Sequence, residues 1–175
     1  MAVLHHILTV TTENKPGVLS RVAGLFSRRG FNIVSLAVSP TDDDHVSRMT
    51  IVVDAESAPL EQIVKQLNKL VPVLKISEVG PGDGVERELM LVIVKAAAEG
   101  RSQITEVAAI FDAKIVDVGF DAMTVMLAGE PDRLDAFADL LRPFGIVELQ
   151  RTGRIALPKL HRQPTRLRAV KSARG

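Results

Sequence analysis

Glu13-Asn14-Lys15-Pro16-Gly17-Val18-Leu19-Ser20-Arg21-Val22-Ala23-Gly24-Leu25-Phe26-Ser27-Arg28-Arg29-Gly30-Phe31-Asn32 follows an apolar run, Ile7 to Val10, and decides how the first half of the chain folds. Pro16-Gly17 is a tight turn. Val18, Leu19, Val22, Leu25 and Phe26 then recur at i, i+1, i+4, i+7 and i+8, which is one face of a helix. Arg21, Arg28 and Arg29 fall largely off that stripe. Gly30 is expected at the position just past the helix end, and Asn32 to Ser39, rich in Ile, Val and Leu, reads as the next strand.

Working outward, Pro40-Thr41-Asp42-Asp43-Asp44 is a turn, and Arg48 to Asp54 is a strand in which Met49, Ile51 and Val53 alternate with Thr50 and Val52. Leu60, Ile63, Val64, Leu67 and Leu70 mark a second helix, with Ser57 as candidate cap and Pro59 in its first turn. Val71 to Val79 returns as a strand. The order is βαββαβ. Gly80-Pro81-Gly82-Asp83-Gly84 is a linker; a strand follows it, so the phosphate-loop reading of these glycines is disfavoured.

The pattern then repeats. A strand over Leu89 to Val94 leads to a helical stripe of Ile104, Val107, Ala108, Ile110 and Phe111. Lys114-Ile115-Val116-Asp117-Val118 echoes Asn32-Ile33-Val34-Ser35-Leu36, and Thr124-Val125-Met126-Leu127 echoes Thr50-Ile51-Val52-Val53. Leu134, Phe137, Leu140 and Leu141 form another helix, and Gly145 to Leu157 supplies the last strand. The expectation is an α+β chain of two ferredoxin-like βαββαβ units: residues 1–79 and 86–157, joined by a linker at 80–85 and followed by a basic tail at 158–175. Each unit would lay two helices on one face of a four-stranded antiparallel sheet. The other face needs a cover, which motivates a dimer.

At 175 residues and 46% hydrophobic content the chain can fill such cores. It has no Cys, hence no disulfide framework and no thiolate chemistry. Without long apolar runs or a basic-then-apolar N-terminus, the expected setting is cytoplasmic, with no membrane contact. Six of the 22 basic residues lie in the acid-free tail, which leaves 16 against 21 acidic residues in the body. A nucleic-acid face on a body of net −5 is disfavoured, as is base stacking in a chain with neither Trp nor Tyr. The tail reads as a solvated end or as a segment that orders against a partner protein.

The turn at Asn14 to Ser20 has the chemistry for a small zwitterion. A helix N-terminus offers unpaired N–H groups and partial positive charge to a carboxylate. Gly17 permits close approach of a ligand, and Asn14 carries both a donor and an acceptor. Val18 and Leu19 offer an apolar wall, and Asn32 is a second amide within expected reach. Taken singly, each also reads as an ordinary turn, cap or strand-edge residue.

Other candidates carry less. His5 and His6, adjacent on a strand, point to opposite faces. His45 beside Asp42, Asp43 and Asp44 reads as a solvated loop rather than a metal site. Ser20 and Ser35 have no evident base, Arg48 reads as an ion-pair partner rather than an anion clamp, and Lys95 has no activating group. Neither catalytic nor metal-ligating residues are expected.

The turn Glu13-Asn14-Lys15-Pro16-Gly17-Val18-Leu19 resembles ACT domains, which bind amino acids. Gly17-Val18-Leu19-Ser20-Arg21-Val22, Leu25-Phe26-Ser27-Arg28-Arg29-Gly30-Phe31-Asn32-Ile33, Ser35-Leu36 and Ser47-Arg48-Met49-Thr50-Ile51 together resemble the small, regulatory subunit of acetolactate (acetohydroxyacid) synthase. Gln66-Leu67-Asn68-Lys69-Leu70, Arg87-Glu88-Leu89 and Leu134-Asp135-Ala136-Phe137 fit the same family. The similarity runs from about Leu4 to Leu157. It implies a non-catalytic, cofactor-free protein of branched-chain amino-acid biosynthesis. That protein would bind and activate the large catalytic subunit, whose cofactors would be thiamin diphosphate, magnesium and FAD, and confer feedback inhibition by valine or a related amino acid. The implied effector residues are Asn14, Gly17, Val18, Ser20 and Asn32, at an interface between two N-terminal domains of a homodimer. Lys15-Pro16 makes the turn more rigid than in some members, and the tail has no family role. The alternative is a stand-alone amino-acid sensor acting on another protein or nucleic acid. The second unit, with Glu99-Gly100-Arg101-Ser102 at the corresponding turn, is expected to serve assembly.

Overall fold

The first strand, β1 (His5–Glu13), alternates between two buried faces, which is why it becomes the inner strand of its sheet. Leu8 and Val10 face the helices, while Ile7 and Thr9 face the other way. The computed structural model describes residues 5–54 and 60–160. Helix α1 (Val18–Arg28) buries Val18, Val22, Leu25 and Phe26, the stripe expected from the sequence. Strands β2 (Ile33–Pro40) and β3 (Val46–Asp54), helix α2 (Leu60–Leu67) and strand β4 (Val73–Val79) complete the first unit. Its sheet order is β2-β3-β1-β4, all antiparallel, so β2 is an edge strand. Ser57 and Pro59, expected to open α2, lie outside the described residues, as do residues 161–175 of the tail, His161 included.

Helix α1 ends in a Schellman motif. The amide of Phe31 donates to the carbonyl of Phe26 at 3.1 Å, and that of Gly30 to Ser27 at 3.2 Å. Gly30 has φ +73°, the left-handed conformation this motif needs. Phe26 and Phe31 meet edge-on at 6.2 Å, the apolar contact that accompanies the motif.

The second unit repeats the plan with β5 (Gly84–Lys95), α3 (Arg101–Ile110), β6 (Lys114–Val118), β7 (Ala122–Gly129), α4 (Pro131–Leu141) and β8 (Ile146–Arg151). Its order is β6-β7-β5-β8. Two βαββαβ units therefore stand as expected, each with its own core.

Helix α2 stops at Leu67, before Leu70, and β4 starts at Val73 rather than Val71; beyond such shifts of element ends, the chain departs from the sequence reading at three places. Strand β5 begins at Gly84, inside the stretch read as linker. Ile110, placed on the buried stripe of α3, is 76% exposed, because the helix buries only Ile104 and Ala108. The single last strand expected over Gly145 to Leu157 is two strands. Gly153, at φ +83°, breaks it into β8 and β9 (Ile155–Pro158).

β8 pairs with the second half of β5, and β9 with its first residues, Gly84 to Arg87. From there β9 reaches the outer face of the first sheet. Ala156 packs with Ile7, Val52 and Val79 into a third buried cluster. At about 1.5–3 kcal/mol for each large aliphatic side chain fully buried, this cover stabilises the face that the helices leave open. The backbone amide of Arg154 also donates to Ser35 Oγ at 2.9 Å, and a Cβ on Gly153 would sit 2.7 Å from that oxygen. The turn after β8 is thus seated on β2.

Candidate functional site

Lys15-Pro16-Gly17-Val18 forms a type II turn. The Val18 amide donates to the Lys15 carbonyl at 3.3 Å, and Gly17, at φ +82° and ψ −6°, takes the position that requires a left-handed residue. Gly17 is also the N-cap of α1, with no side chain capping the helix. Its carbonyl accepts from Arg21, while the amides of Leu19 and Ser20 have no backbone partner among the described residues. Two N–H groups therefore project from an exposed helix end. Apart from its chain neighbours Pro16 and Val18, nothing lies within 4 Å of where a Cβ on Gly17 would be, so this end is open.

Asn14 is a clamp rather than a helix cap. Its backbone amide donates to the carbonyl of His45 and its side-chain Nδ2 to that of Asp44, both at 2.7 Å. The turn is thereby tied to the β2–β3 loop, and Asn14 Oδ1 is left as an acceptor. That loop is itself ordered by Asp43, whose Oδ1 accepts from the His45 amide at 2.9 Å. Glu13 and Lys15 pair at 3.0 Å beside the turn.

Val18 does not offer its side chain as a wall: it is 5% exposed and belongs to the core. The apolar group at the surface is Leu19, 42% exposed. Ser20 is exposed on the first turn of the helix. Asn32 is not brought to this turn within one chain. It follows the far end of α1, an 11-residue helix of about 16 Å, and its carbonyl accepts from Asp54, which pairs with His5 at the opposite end of β1. The reach expected of Asn32 fails within one chain because the length of α1 separates it from the turn.

The equivalent helix end in the second unit is occupied by its own side chain. Arg101, just after the N-cap Gly100, donates from Nε to the Ala96 carbonyl at 3.2 Å and from Nη2 to Gly119 and Phe120 at 2.7 and 2.5 Å. In both units a side chain at or just before the start of the helix ties that end to the neighbouring hairpin loop. Asn14 does so and leaves the helix end open, whereas Arg101 fills the space with a cation.

The remaining polar candidates are structural. His6 Nδ1 lies 2.9 Å from Glu78 Oε1 across β1 and β4. Among the described residues no three His, Asp or Glu side chains are grouped to hold a metal ion. No described helix is long and apolar enough to cross a membrane. Arg48, read as an ion-pair partner, has none among the described residues.

An AHAS small subunit-like ACT domain model matches residues 8–75, and a model described as the small subunit of acetolactate synthase matches residues 87–160. The chain is 51% identical over 154 residues to a probable acetolactate synthase small subunit of Archaeoglobus fulgidus, covering 88% of this chain and 96% of that one. It is 50% identical over 154 residues to the acetolactate synthase small subunit of Mycolicibacterium smegmatis, with 88% and 91% covered. Among solved structures, the acetolactate synthase small subunit of Thermotoga maritima is 35% identical and superposes with a TM-score of 0.84 over 91% of this chain and 99% of that one.

Proposed function

The chain belongs to the acetolactate synthase small-subunit family, and on that footing we propose that it binds the large catalytic subunit, raises its activity and makes it sensitive to valine. The observation that carries the effector part is the open end of α1. Two free amides there suit a carboxylate, Asn14 Oδ1 suits an ammonium group, and Leu19 offers an apolar surface. Gly17 and Val18 contribute through backbone, and Ser20 adds a hydroxyl at the rim. The second unit, with Arg101 over its own helix end, takes no effector and serves assembly.

Asn32 joins this site across a homodimer. β2 is an edge strand, and β2 is tied to β3 with Pro40 opposite Ser47 while Glu13 lies opposite Val46, so its Pro40 end is the end that carries the Asn14 turn. Two copies paired antiparallel along β2, with Ile33 of one beside Pro40 of the other, set Asn32 of each copy near the Asn14 turn of its mate. The effector then holds two chains in one arrangement, and by linkage it shifts the attached enzyme no further than its differential affinity for that arrangement allows. The cytoplasm is the setting this role requires, and neither membrane nor nucleic acid has a part in it.

The deciding experiment mixes the purified chain with an acetolactate synthase large subunit and measures acetolactate formation with and without valine. Stimulation by the chain, reversed by valine, is the expected result. Asn14→Ala or Gly17→Asp should leave the stimulation in place and remove the valine effect. Unchanged activity at an excess of the chain, together with valine binding to the chain alone, would instead favour a sensor acting elsewhere.

A further inference from the structure

The outer face of the first sheet is graded in rows by its strand register. Val52, Ile7 and Val79 form the row covered by Ala156; Ala37, Thr50, Thr9 and Ser77 form the next; and Ser39, Arg48, Thr11 and Lys75 form the third. Antiparallel partners share a face, so the hydroxyl row and the cation row lie side by side in front of β9.

Two adjoining cavities occupy this face. The larger, of about 380 Å³, runs between the β2–β3 hairpin and β9 and is bordered by Ala37, Thr50, Ile155 and Leu157. Its size falls in the range of roughly 300–1,000 Å³ typical of small-molecule pockets. The smaller, of about 60 Å³, has Thr9, Thr11, Ser77 and Lys75 around it. Arg48, Ala156 and Leu157 border both.

The charges here are unanswered. Neither Arg48 nor Lys75 has a side-chain partner among the described residues. Arg87, Arg101, Arg142, Arg151 and Arg154 all donate to protein acceptors, whereas Arg48 shares its lack of one with Arg21, Arg28 and Arg29 of α1 and its end. The one acid bordering either cavity is Asp42, exposed at the hairpin tip. The apolar walls are equally unanswered: Ile155 is 58% and Leu157 53% exposed.

We propose that this paired cavity is a second ligand site, distinct from the helix end, for a small carboxylate with an apolar chain. The carboxylate sits between Arg48 and Lys75 above the Thr11 hydroxyl, and the chain lies under Ile155 and Leu157. Arg48 supplies a two-pronged donor to the carboxylate, and Lys75 a point charge.

The probe is 4-methylpentanoate, which lacks the amino group that the helix-end site requires. Its binding therefore reads this cavity alone, and either proposal can fail without the other. Titrated into the full-length, 15N-labelled chain, it should shift the amides of Thr50, Ala37, Ala156 and Leu157 saturably. Arg48→Gln should weaken binding at least about tenfold, as loss of a charge-assisted hydrogen bond does, and Lys75→Gln should weaken it by a smaller factor. The uncharged 4-methylpentanamide should bind at least about tenfold more weakly than the acid, which tests the charge requirement without touching the protein. Absence of saturable shifts, equal binding of the amide, or shifts centred on Leu19 and Ser20 would each overturn the proposal.

Discussion

Gly30 and Asp112 occupy the same place in the two units and show what one residue contributes to the repeat. After α3 the amide of Ala113 donates to Ala108 at 2.8 Å and that of Asp112 to Ala109 at 3.1 Å, the same pair of bonds that closes α1. Asp112 holds φ +51°, where an L side chain is strained and Gly is not. Asp112→Gly should therefore stabilise the second unit by about 0.5–1 kcal/mol, the saving being limited by the extra freedom Gly has when unfolded. For a chain of this size that raises the melting temperature by about 1–4 °C in calorimetry; a fall in melting temperature would refute the argument. The helix stop at Gly30 was legible in the sequence because Gly is itself the signal. The stop at Asp112 was found only through the repeat, and the burial of Val18 at the candidate site was not separable from that of Leu19, since both neighbours read as apolar wall.

Strand β8 is fixed at the element scale by one side chain. Arg151 bonds Glu88 on β5 at 2.8 Å and Asp135 on α4 at 2.5 Å, locking the edge strand to both layers of the second unit. Burial alone would lower its pKa, but the hydrogen bond to Asp135 and the charge of Glu88 outweigh it, and the guanidinium titrates above its ordinary value. A raised folded pKa means that this stabilisation is complete below the unfolded value and is lost only as pH rises through the folded one, in strong alkali. The contribution of Arg151 to stability should thus be independent of pH across the neutral range. Arg151→Ala strands Glu88, whose side chain is 7% exposed, as a buried carboxylate. With Asp135 largely exposed, the cost should be about 2 kcal/mol rather than the 3–5 of a fully buried pair, or a melting temperature lower by roughly 4–8 °C. Glu88→Gln in the same background should recover part of the loss; no recovery would mean the packing of the Arg stem, not charge, was lost. The helices and inner strands of both units were legible because their apolar periods are long. β9 was not: four residues after a glycine kink carry no period, and the burial of Ala156 depends on Val79, Val52 and Ile7, far away in sequence.

At the scale of the whole molecule the candidate site is incomplete in one chain. Asn14 and Asn32 flank opposite ends of α1, so a site using both must borrow one of them from a second copy. Sequence could gather these residues into one list because each matches a family motif, but adjacency in a motif carries no information on which chain supplies which residue. The distinction can be measured by complementation. Asn14→Ala and Asn32→Ala chains should each fail to gain melting temperature from valine. When the two are unfolded together and refolded, half of the dimers contain one chain of each kind. In those dimers the intact Asn14 of one chain faces the intact Asn32 of the other, giving one whole site and one doubly damaged site. Valine binding should reappear in the mixture at one site per mixed dimer, and Val34→Lys in both chains should remove it again by placing a lysine on the exposed β2 edge, where charge opposes strand pairing. A site contained in one chain predicts the opposite: mixing two defective chains would restore nothing, because every chain in the mixture carries a defect of its own.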